Sequence, residues 1–217
     1  SGEFLTYLRA LCDTHGIVLV ADEIQSGIGR TGKMFAFEHY GIVPDILTMA
    51  KGLTSSYAPM GCMAVSDAIA THFKTNVFWG GLTYNAHCLG LATAEAVIDV
   101  MEDEGLVENA QRMGVIMRGH MERMKAKHPS VKSFRQLGLF GMMDLQCDDK
   151  GTPMAPYNGT SQPMAALGAH FRSNRLFTFV RWGSFMCNPP LCINEAQIEA
   201  AFEIIDRGLE ITDAAMI

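Results

Sequence analysis

Two charged residues, Asp22 and Lys51, stand at the ends of two short apolar runs, and their side chains could do chemistry together. The runs cover residues 17–21 and 45–50, and short apolar runs that are rich in β-branched residues predict buried strands. If the two strands were neighbours in a parallel sheet, the carboxylate and the amine would meet at the carboxyl edge. In open α/β sheets this is the edge where ligands bind.

A carboxylate and a lysine amine side by side are what one cofactor requires. Pyridoxal phosphate (PLP) takes a lysine Schiff base at its aldehyde and a carboxylate at its pyridine nitrogen, and the protonated ring then serves as an electron sink. The spacing of 29 positions between Asp22 and Lys51 leaves room for a loop and a short helix between two strands. The alternative is that Lys51 is a surface lysine and Asp22 a solvated carboxylate at a strand end.

The residues around this pair carry a resemblance. The pattern D-E-I-Q-x-G-x-G-R-T-G starts at Asp22, and F-A-x-E-H-x-G-x-x-P-D-I-x-T-x-A-K-G-L starts at Phe35 and contains Lys51. Together they resemble the core of the class III (omega-) aminotransferases, which are fold-type I PLP enzymes. The resemblance implies an α/β fold in which residues 1–105 are the second half of the PLP-binding large domain, with part of a mostly parallel sheet. Residues 106–217 would be a small C-terminal α+β domain.

The resemblance also implies roles for individual residues. Lys51 would form the Schiff base with PLP and then move a proton between the substrate and the cofactor, while Asp22 would contact the pyridine nitrogen. Gln25 would donate a hydrogen bond to the phenolic oxygen of the cofactor. Thr83, in W-G-G-L-T-Y-N-A-H-C, would reach the PLP phosphate of a neighbouring subunit, which implies a homodimer with shared sites. Arg181, in V-R-W-G-S-F-M-C-N-P-P-L, would bind the acidic group of the substrate.

Each of these residues also has a simpler interpretation. Thr83 could cap a helix from within a turn, and Arg181 could be solvated at the end of a strand. The distance from this arginine to the Pro-Pro pair varies within the family, so its register stays open. A bidentate guanidinium nevertheless suits a carboxylate or a sulfonate. Glu23 and His87 are expected to have structural roles.

The glycines at 27, 29 and 32 formally match the dinucleotide fingerprint G-x-G-x-x-G. In that fingerprint the first glycine follows the strand directly and a long helix begins there. Here residues 22–26 intervene, only a short segment follows, and no acidic residue stands at the expected distance. The glycines are therefore predicted to permit a tight loop on the cofactor side of the sheet. Arg30, within this loop, could bridge carboxylates across a subunit contact or be solvated.

Composition excludes several classes of protein. The chain has 217 residues, 48% of them hydrophobic and 18% charged, with a net charge of −6, and this balance is typical of a globular enzyme of one or two domains. The sequence has no Lys/Arg cluster, so nucleic acid is not the expected partner. It also has no apolar run of roughly 20 residues, so a membrane is not expected either. The first residues lack the pattern of a signal peptide. Six scattered cysteines without a C-x-x-C pair suit reduced thiols in a cytoplasm, and no metal site is expected.

Hydrophobic periodicity predicts the remaining elements. In the first part of the chain we expect a helix stopped by Gly16, a helical turn at 34–40 and a strand at 63–65. The helices that follow are expected at 67–73, 86–101, 106–127, 163–174 and after the cap Asn194. The helix at 106–127 is amphipathic, and its expected buried stripe consists of Met113, Ile116, Met117, Met121 and Met124. A strand–turn–strand segment is predicted at 134–145, a strand at 176–181, and loops at 148–162 and 182–190.

The function implied by the resemblance is transfer of an amino group from an omega-amine or amino acid of the taurine, β-alanine or 4-aminobutyrate type to a 2-oxo acid. A PLP-dependent aminomutase or racemase on the same scaffold is an alternative. Class III aminotransferases are about twice this long, and only their C-terminal half is resembled. Their phosphate-binding loop and ring-stacking aromatic residue lie upstream, so the second alternative is a catalytically incomplete, dimerising fragment.

Overall fold

The computed structural model describes residues 2–217, which form two compact units. The first unit ends at Glu108 and the second covers Asn109–Ile217. Both contain α-helices and a β-sheet. No helix among residues 2–217 combines the length and the apolar composition needed to cross a membrane.

The first unit alternates helices, strands and short 3-10 helices. Its elements are α1 Gly2–His15, β1 Val20–Asp22, a 3-10 helix Ala36–Tyr40, β2 Ile46–Met49, a 3-10 helix Lys51–Thr54, β3 Cys62–Val65, α2 Asp67–His72 and α3 Cys88–Asp103. Gly16 follows α1 with φ of +63°, a left-handed conformation that favours glycine and ends the helix as predicted.

The first sheet has the strand order β1-β2-β3. The pairing of β1 with β2 is parallel, with Val20 opposite Ile46 and Asp22 opposite Thr48, so the predicted parallel pair is confirmed. The third strand, β3, pairs with β2 in the antiparallel direction. The carboxyl ends of β1 and β2 therefore lie at the same edge.

Strand β1 begins at Val20 rather than at residue 17, so the predicted start is wrong. The reason is a side-chain hydrogen bond: the Leu19 N–H donates to Asp45 Oδ2 at 2.8 Å instead of to a strand partner. The same oxygen accepts from Arg9 Nη1 of α1 at 2.9 Å. Asp45 thus ties α1, the start of β1 and the start of β2 together.

This arrangement predicts acid-sensitive stability of the first unit. The Leu19 N–H and the Arg9 guanidinium hold the pKa of Asp45 below its usual value, against the opposing effect of burial. Because the folded-state pKa is depressed, the stabilisation is present above about pH 4 and is lost as the pH falls through the lower folded value. Asp45→Asn should therefore lower the free energy of unfolding by about 1 kcal/mol at pH 7, after allowance for solvent screening.

Urea denaturation at pH 7 and at pH 2.5 measures this effect. The difference between Asp45→Asn and the unsubstituted chain should shrink towards zero at the lower pH. A difference that is the same at both pH values would contradict an ionised Asp45 as the source of the stabilisation.

The second unit packs three helices on an antiparallel sheet of order β4-β5-β7-β6. Its elements are α4 Leu106–Lys127, whose first three residues belong to the first unit, β4 Val131–Leu137, β5 Phe140–Leu145, α5 Gln162–Ser173, β6 Val180–Arg181, β7 Ser184–Cys187 and α6 Glu195–Asp213. The predicted buried stripe of α4 is confirmed, with Met117, Met121 and Met124 inside the core and two neighbours partly buried. Helix α6 begins at the predicted cap, where Asn194 and Gln197 exchange side-chain and backbone hydrogen bonds of 3.0 and 3.1 Å.

Two predictions in the second unit are wrong. The segment 182–190 is not an irregular loop throughout, because it contains β7, which pairs with β5 and β6. The strand expected at 176–181 is reduced to the two residues of β6. The alternation of partly buried and buried residues in β7 covers only four positions, of which Phe185 and Cys187 are buried. Such a short pattern directly before Asn-Pro-Pro resembles a loop, and pairing on both sides stabilises it as a strand.

Candidate active site

Asp22 and Lys51 lie at the same edge of the first sheet. Asp22 is the last residue of β1 and is opposite Thr48 in β2, three positions before Lys51. The pairing continues for one more step, because the Glu23 N–H donates to the Thr48 carbonyl at 2.9 Å. Both side chains belong to exposed residues. An amine and a carboxylate can thus both reach a ligand at this edge.

Lys51 does not simply end a strand. Strand β2 stops at Met49, and Lys51 is the first residue of the 3-10 helix that follows, with φ of +45°. The turn is closed by the Leu53 N–H, which donates to the Ala50 carbonyl at 3.0 Å. A non-glycine residue in this left-handed region is strained by about 1–3 kcal/mol, and such strain accumulates at functional sites.

The strain gives a direct prediction for stability. Lys51→Gly should have a free energy of unfolding about 1 kcal/mol higher than Lys51→Ala, because only glycine adopts a positive φ without steric penalty. Urea denaturation of the two variants, followed by circular dichroism, measures the difference. At an ordinary turn position with negative φ the order would be reversed, so an alanine variant as stable as the glycine variant would contradict the left-handed backbone.

The loop after Asp22 is built around Glu23, which is only 4% exposed. Its carboxylate accepts hydrogen bonds from the Ser26 hydroxyl and, at 2.9 Å, from the Phe37 N–H. The Gly27 N–H donates to the Glu23 carbonyl, and a Cβ at Gly27 would lie 2.7 Å from that oxygen. Glu23 therefore has the structural role expected from the sequence, and Gly27 must be glycine because the backbone passes so close.

The glycine-rich loop is tight, as predicted, and does not open a helix. Gly29 and Gly32 have φ of +80° and +82°. The loop packs on the lysine turn, since a Cβ at Gly52 would lie 3.0 Å from Cβ of buried Ile28. Gln25 is an exposed residue of this loop. One oxygen of Asp22 accepts from the Ile24 N–H at 3.0 Å, which orients the carboxylate.

Arg30 is partly buried in the same loop, and burial lowers the pKa of its guanidinium. A freely solvated arginine, one of the two interpretations of the sequence, does not fit this position. The bridge across a subunit contact stays a prediction.

Thr83 lies in an exposed turn at residues 83–86. Helix α3 begins at Cys88, two residues later than expected, and its N-cap is His87, whose side chain makes no capping hydrogen bond. Thr83 is therefore not the cap of α3, although it lies within a turn as the simpler interpretation expected. A cavity of about 560 Å³ lies alongside, lined by residues 58–61 and by Leu82, Tyr84 and His87, among others.

Arg181 belongs to the second unit, where it is the last residue of β6. It is exposed, and its Cζ atom lies over the Trp182 ring at 4.3 Å from the centroid. The other four predicted site residues, Asp22, Gln25, Lys51 and Thr83, lie in the first unit.

Sequence reasoning missed the anchoring by Asp45 and the aromatic contact of Arg181. The second had a visible signal, namely a tryptophan directly after the arginine.

Comparison with known proteins identifies the family. A sequence model described as aminotransferase class-III matches residues 1–209. The chain belongs to the class III aminotransferases. It is 36% identical over 210 residues to an uncharacterized aminotransferase of Schizosaccharomyces pombe, covering 95% of this chain and 46% of the relative. It is also 30% identical over 214 residues to a taurine–pyruvate aminotransferase of Bilophila wadsworthia, covering 93% and 46%.

Solved transaminase structures share the fold. The taurine:2-oxoglutarate aminotransferase of Bifidobacterium kashiwanohense, in complex with PLP and glutamate, matches with a TM-score of 0.94 and 32% identity. The match covers 99% of this chain and 48% of that one. The predicted α/β fold of the PLP-dependent transaminases is thereby confirmed. The chain spans about half the length of the curated relatives it matches.

Proposed function

We propose that this class III aminotransferase chain holds PLP through Lys51 and Asp22 and transfers an amino group to a 2-oxo acid. The observation that carries the proposal is the parallel register of β1 and β2, which sets Asp22 opposite Thr48 and so brings it to the edge where Lys51 begins its turn. The family match and the PLP complex of a similar structure support the same conclusion.

The side chains at this edge fit the cofactor chemically. When bound, PLP supplies an aldehyde that takes up amines and a protonated ring that accepts electrons. The Asp22 carboxylate, oriented by the Ile24 N–H, would hold the proton on the ring nitrogen. The Gln25 amide would donate to the phenolic oxygen. The strained turn at Lys51 would hold its amine at the aldehyde carbon and, once the amine is released, let it move a proton at the substrate carbon.

Arg181 is the proposed site for the acidic group of the substrate. A guanidinium presents several N–H donors in one plane and binds a carboxylate or a sulfonate in bidentate fashion. This chemistry suits donors of the taurine, β-alanine or 4-aminobutyrate type and 2-oxo acid acceptors. Two similar proteins are named for taurine and others for acetylornithine, and both of these donors carry an acidic group.

We also propose a homodimer, in which Thr83 contacts the PLP phosphate of the second copy. The segment around Thr83 is highly exposed although it is apolar: Trp79 is 91%, Tyr84 81% and Leu82 76% exposed. Exposed apolar surface of this kind marks an interaction site.

A reducing compartment such as the cytoplasm suits the chain, because all six cysteines are free thiols in the structure.

Two alternatives stay open. An aminomutase or racemase would use the same lysine and carboxylate. A catalytically incomplete, dimerising fragment is favoured by the exposed apolar residues Ile17, Val18 and Val20, each 52% exposed, at the edge strand β1 of the first sheet.

Reductive trapping tests the proposal. The chain is incubated with PLP and sodium borohydride, which makes the bond between PLP and a lysine amine permanent, and the labelled lysine is identified by peptide mapping. We expect Lys51 to carry most of the label at low PLP concentration. Lys33→Ala, which removes another exposed lysine of the first unit, is the control and should leave the labelling unchanged.

The distribution of the label and the products formed distinguish the aminotransferase from the two alternatives. Label spread evenly over the seven lysines would contradict a PLP site at Lys51. Selective label without amino transfer from any donor would favour the incomplete fragment. Selective label with interconversion of one amino acid, and no 2-oxo acid product, would favour the mutase or racemase.

A further inference from the structure

Three side chains of the second unit, Tyr157, Trp182 and Arg181, are in contact at its surface, with the two rings tilted by 50°. The centroids of the Tyr157 and Trp182 rings are 4.3 Å apart. The Arg181 Cζ atom lies over the same Trp182 ring, also at 4.3 Å from its centroid. Tyr157 is 77% exposed, and Arg181 is an exposed residue. An arginine that is held against an indole at an open surface has a defined position that a solvated arginine lacks.

The backbone at Trp182 is strained. Trp182 and Gly183 form the two-residue connection between β6 and β7, and Trp182 has φ of +53°. Two-residue hairpin connections favour Gly, Asn or Asp where φ is positive, and a bulky side chain in that region is unusual. A strained residue persists only where the surrounding structure maintains it, and an observed outlier is a ground for a functional hypothesis.

The surrounding structure fixes the tip of this hairpin firmly. The Leu145 N–H donates to the Gly183 carbonyl at 2.7 Å. A Cβ at Gly183 would lie 3.1 Å from the Met154 N and 3.3 Å from the Ala155 N, so the tip is in close contact with the segment that leads to Tyr157. The backbone at Trp182 is therefore fixed by the neighbouring segment, and the indole contacts the Tyr157 ring.

The guanidinium of Arg181 keeps its donors for a ligand. Among residues 2–217, Arg181 forms no ion pair with a carboxylate and donates no hydrogen bond to a protein acceptor. A contact of its carbon atom with the ring face leaves N–H groups of the guanidinium for other partners.

We propose that Trp182, supported by Tyr157, is a positioning residue that fixes the Arg181 guanidinium for binding a small organic anion, a carboxylate or a sulfonate. The inference rests on the proposed role of Arg181 in substrate binding and adds a residue that determines how tightly the acid is held. A flexible arginine loses conformational freedom when it binds an anion, and a guanidinium already immobilised on the indole loses less. Removing the indole should weaken anion binding about fivefold, the effect expected for one side chain that must be ordered.

Nuclear magnetic resonance of the arginine side chains tests this directly and without cofactor. The Nε–Hε signal of Arg181, assigned through Arg181→Lys, is followed during titration with propionate and, separately, with ethanesulfonate. Propanol is the uncharged control. Arg118, whose Cζ lies 5.9 Å from the Phe134 ring centroid and whose Nη2 donates to the Gln136 carbonyl, serves as the internal control.

The variants separate positioning from stability. Trp182→Gly removes the indole and at the same time relieves the positive φ, so its urea midpoint should equal or exceed that of the unsubstituted chain. Its dissociation constants for both anions should nevertheless rise about fivefold. Trp182→Phe should stay within twofold of the original values, because it keeps an aromatic face. Tyr157→Ala leaves the hairpin unchanged and should weaken binding by about twofold.

Unchanged anion affinity in Trp182→Gly and in Tyr157→Ala would overturn the inference while leaving Arg181 as the anion site. If the unsubstituted chain shows no anion-dependent shift at Arg181, the proposed substrate role of Arg181 fails, and the inference fails with it. Weakening in Tyr157→Ala would support the inference even if Trp182→Gly did not fold.

Discussion

Replacing Lys51 with alanine is expected to lower the rate of amino-group transfer by at least about a thousandfold. The amine that would hold PLP and move the proton comes from this one side chain. The chain is supplied with PLP, an amine donor and a 2-oxo acid, and the formation of the new amino acid is followed. The near-visible absorption band of lysine-bound PLP should disappear together with the rate.

The controls distinguish lost chemistry from a lost fold. Lys33→Ala should transfer amino groups at the original rate, because Lys33 is an exposed residue of the loop region. Added methylamine should restore part of the rate in Lys51→Ala, since a small free amine can act as the base in place of the side chain. A Lys51→Ala variant that keeps its rate within tenfold would contradict the proposed role.

Replacing His128 with alanine is expected to lower the free energy of unfolding of the second unit by about 3–5 kcal/mol. The imidazole is 2% exposed, and both of its nitrogens contact carboxylates: Nδ1 is 2.6 Å from Asp213 Oδ2, and Nε2 is 2.6 Å from Asp206 Oδ1. Asp213 also accepts from the Ser130 hydroxyl at 2.6 Å. Loss of the ring would leave two carboxylates facing each other without the group that joins the end of α4 to α6.

The charges around His128 support a large loss of stability in this variant. Burial acts to raise the pKa of Asp206, but hydrogen bonds from Lys127 and His128 bring it below its usual value. Asp206 is therefore ionised at neutral pH, and without the ring only the half-exposed Lys127 would still neutralise this partly buried charge.

Tryptophan fluorescence during urea denaturation measures the loss. Trp182 reports on the second unit alone in a Trp79→Phe background, because the chain has two tryptophans and Trp79 lies in the first unit. Lys127→Ala is the matched control: its side chain is 53% exposed and bonds the same Asp206, so its removal should cost about 1 kcal/mol or less. A His128→Ala variant within 1 kcal/mol of the unsubstituted chain would show that the network adds little to stability.

Local patterns in the sequence were enough to predict a large part of this protein. The apolar runs before Asp22 and Lys51 predicted two parallel strands, because strand pattern and chain direction together decide which ends meet. The methionine stripe of α4 and the Asn194 cap were also readable, since both depend on residues within one or two helical turns. The family resemblance rested on the same local stretch, where chemistry and backbone shape require particular residues at neighbouring positions.

Only the tertiary structure decided the features that depend on distant partners. His128 contacts Asp206 and Asp213, which are 78 and 85 positions away, and no local pattern indicates such pairs. Strand β7 forms because β5 and β6 pair with it on both sides, although its own four residues resemble a loop. The placement of Arg181 on Trp182 depends on a strained hairpin held by another loop. Residue types and spacing determined which chemistry is available, and long-range packing decided how rigidly each group is held.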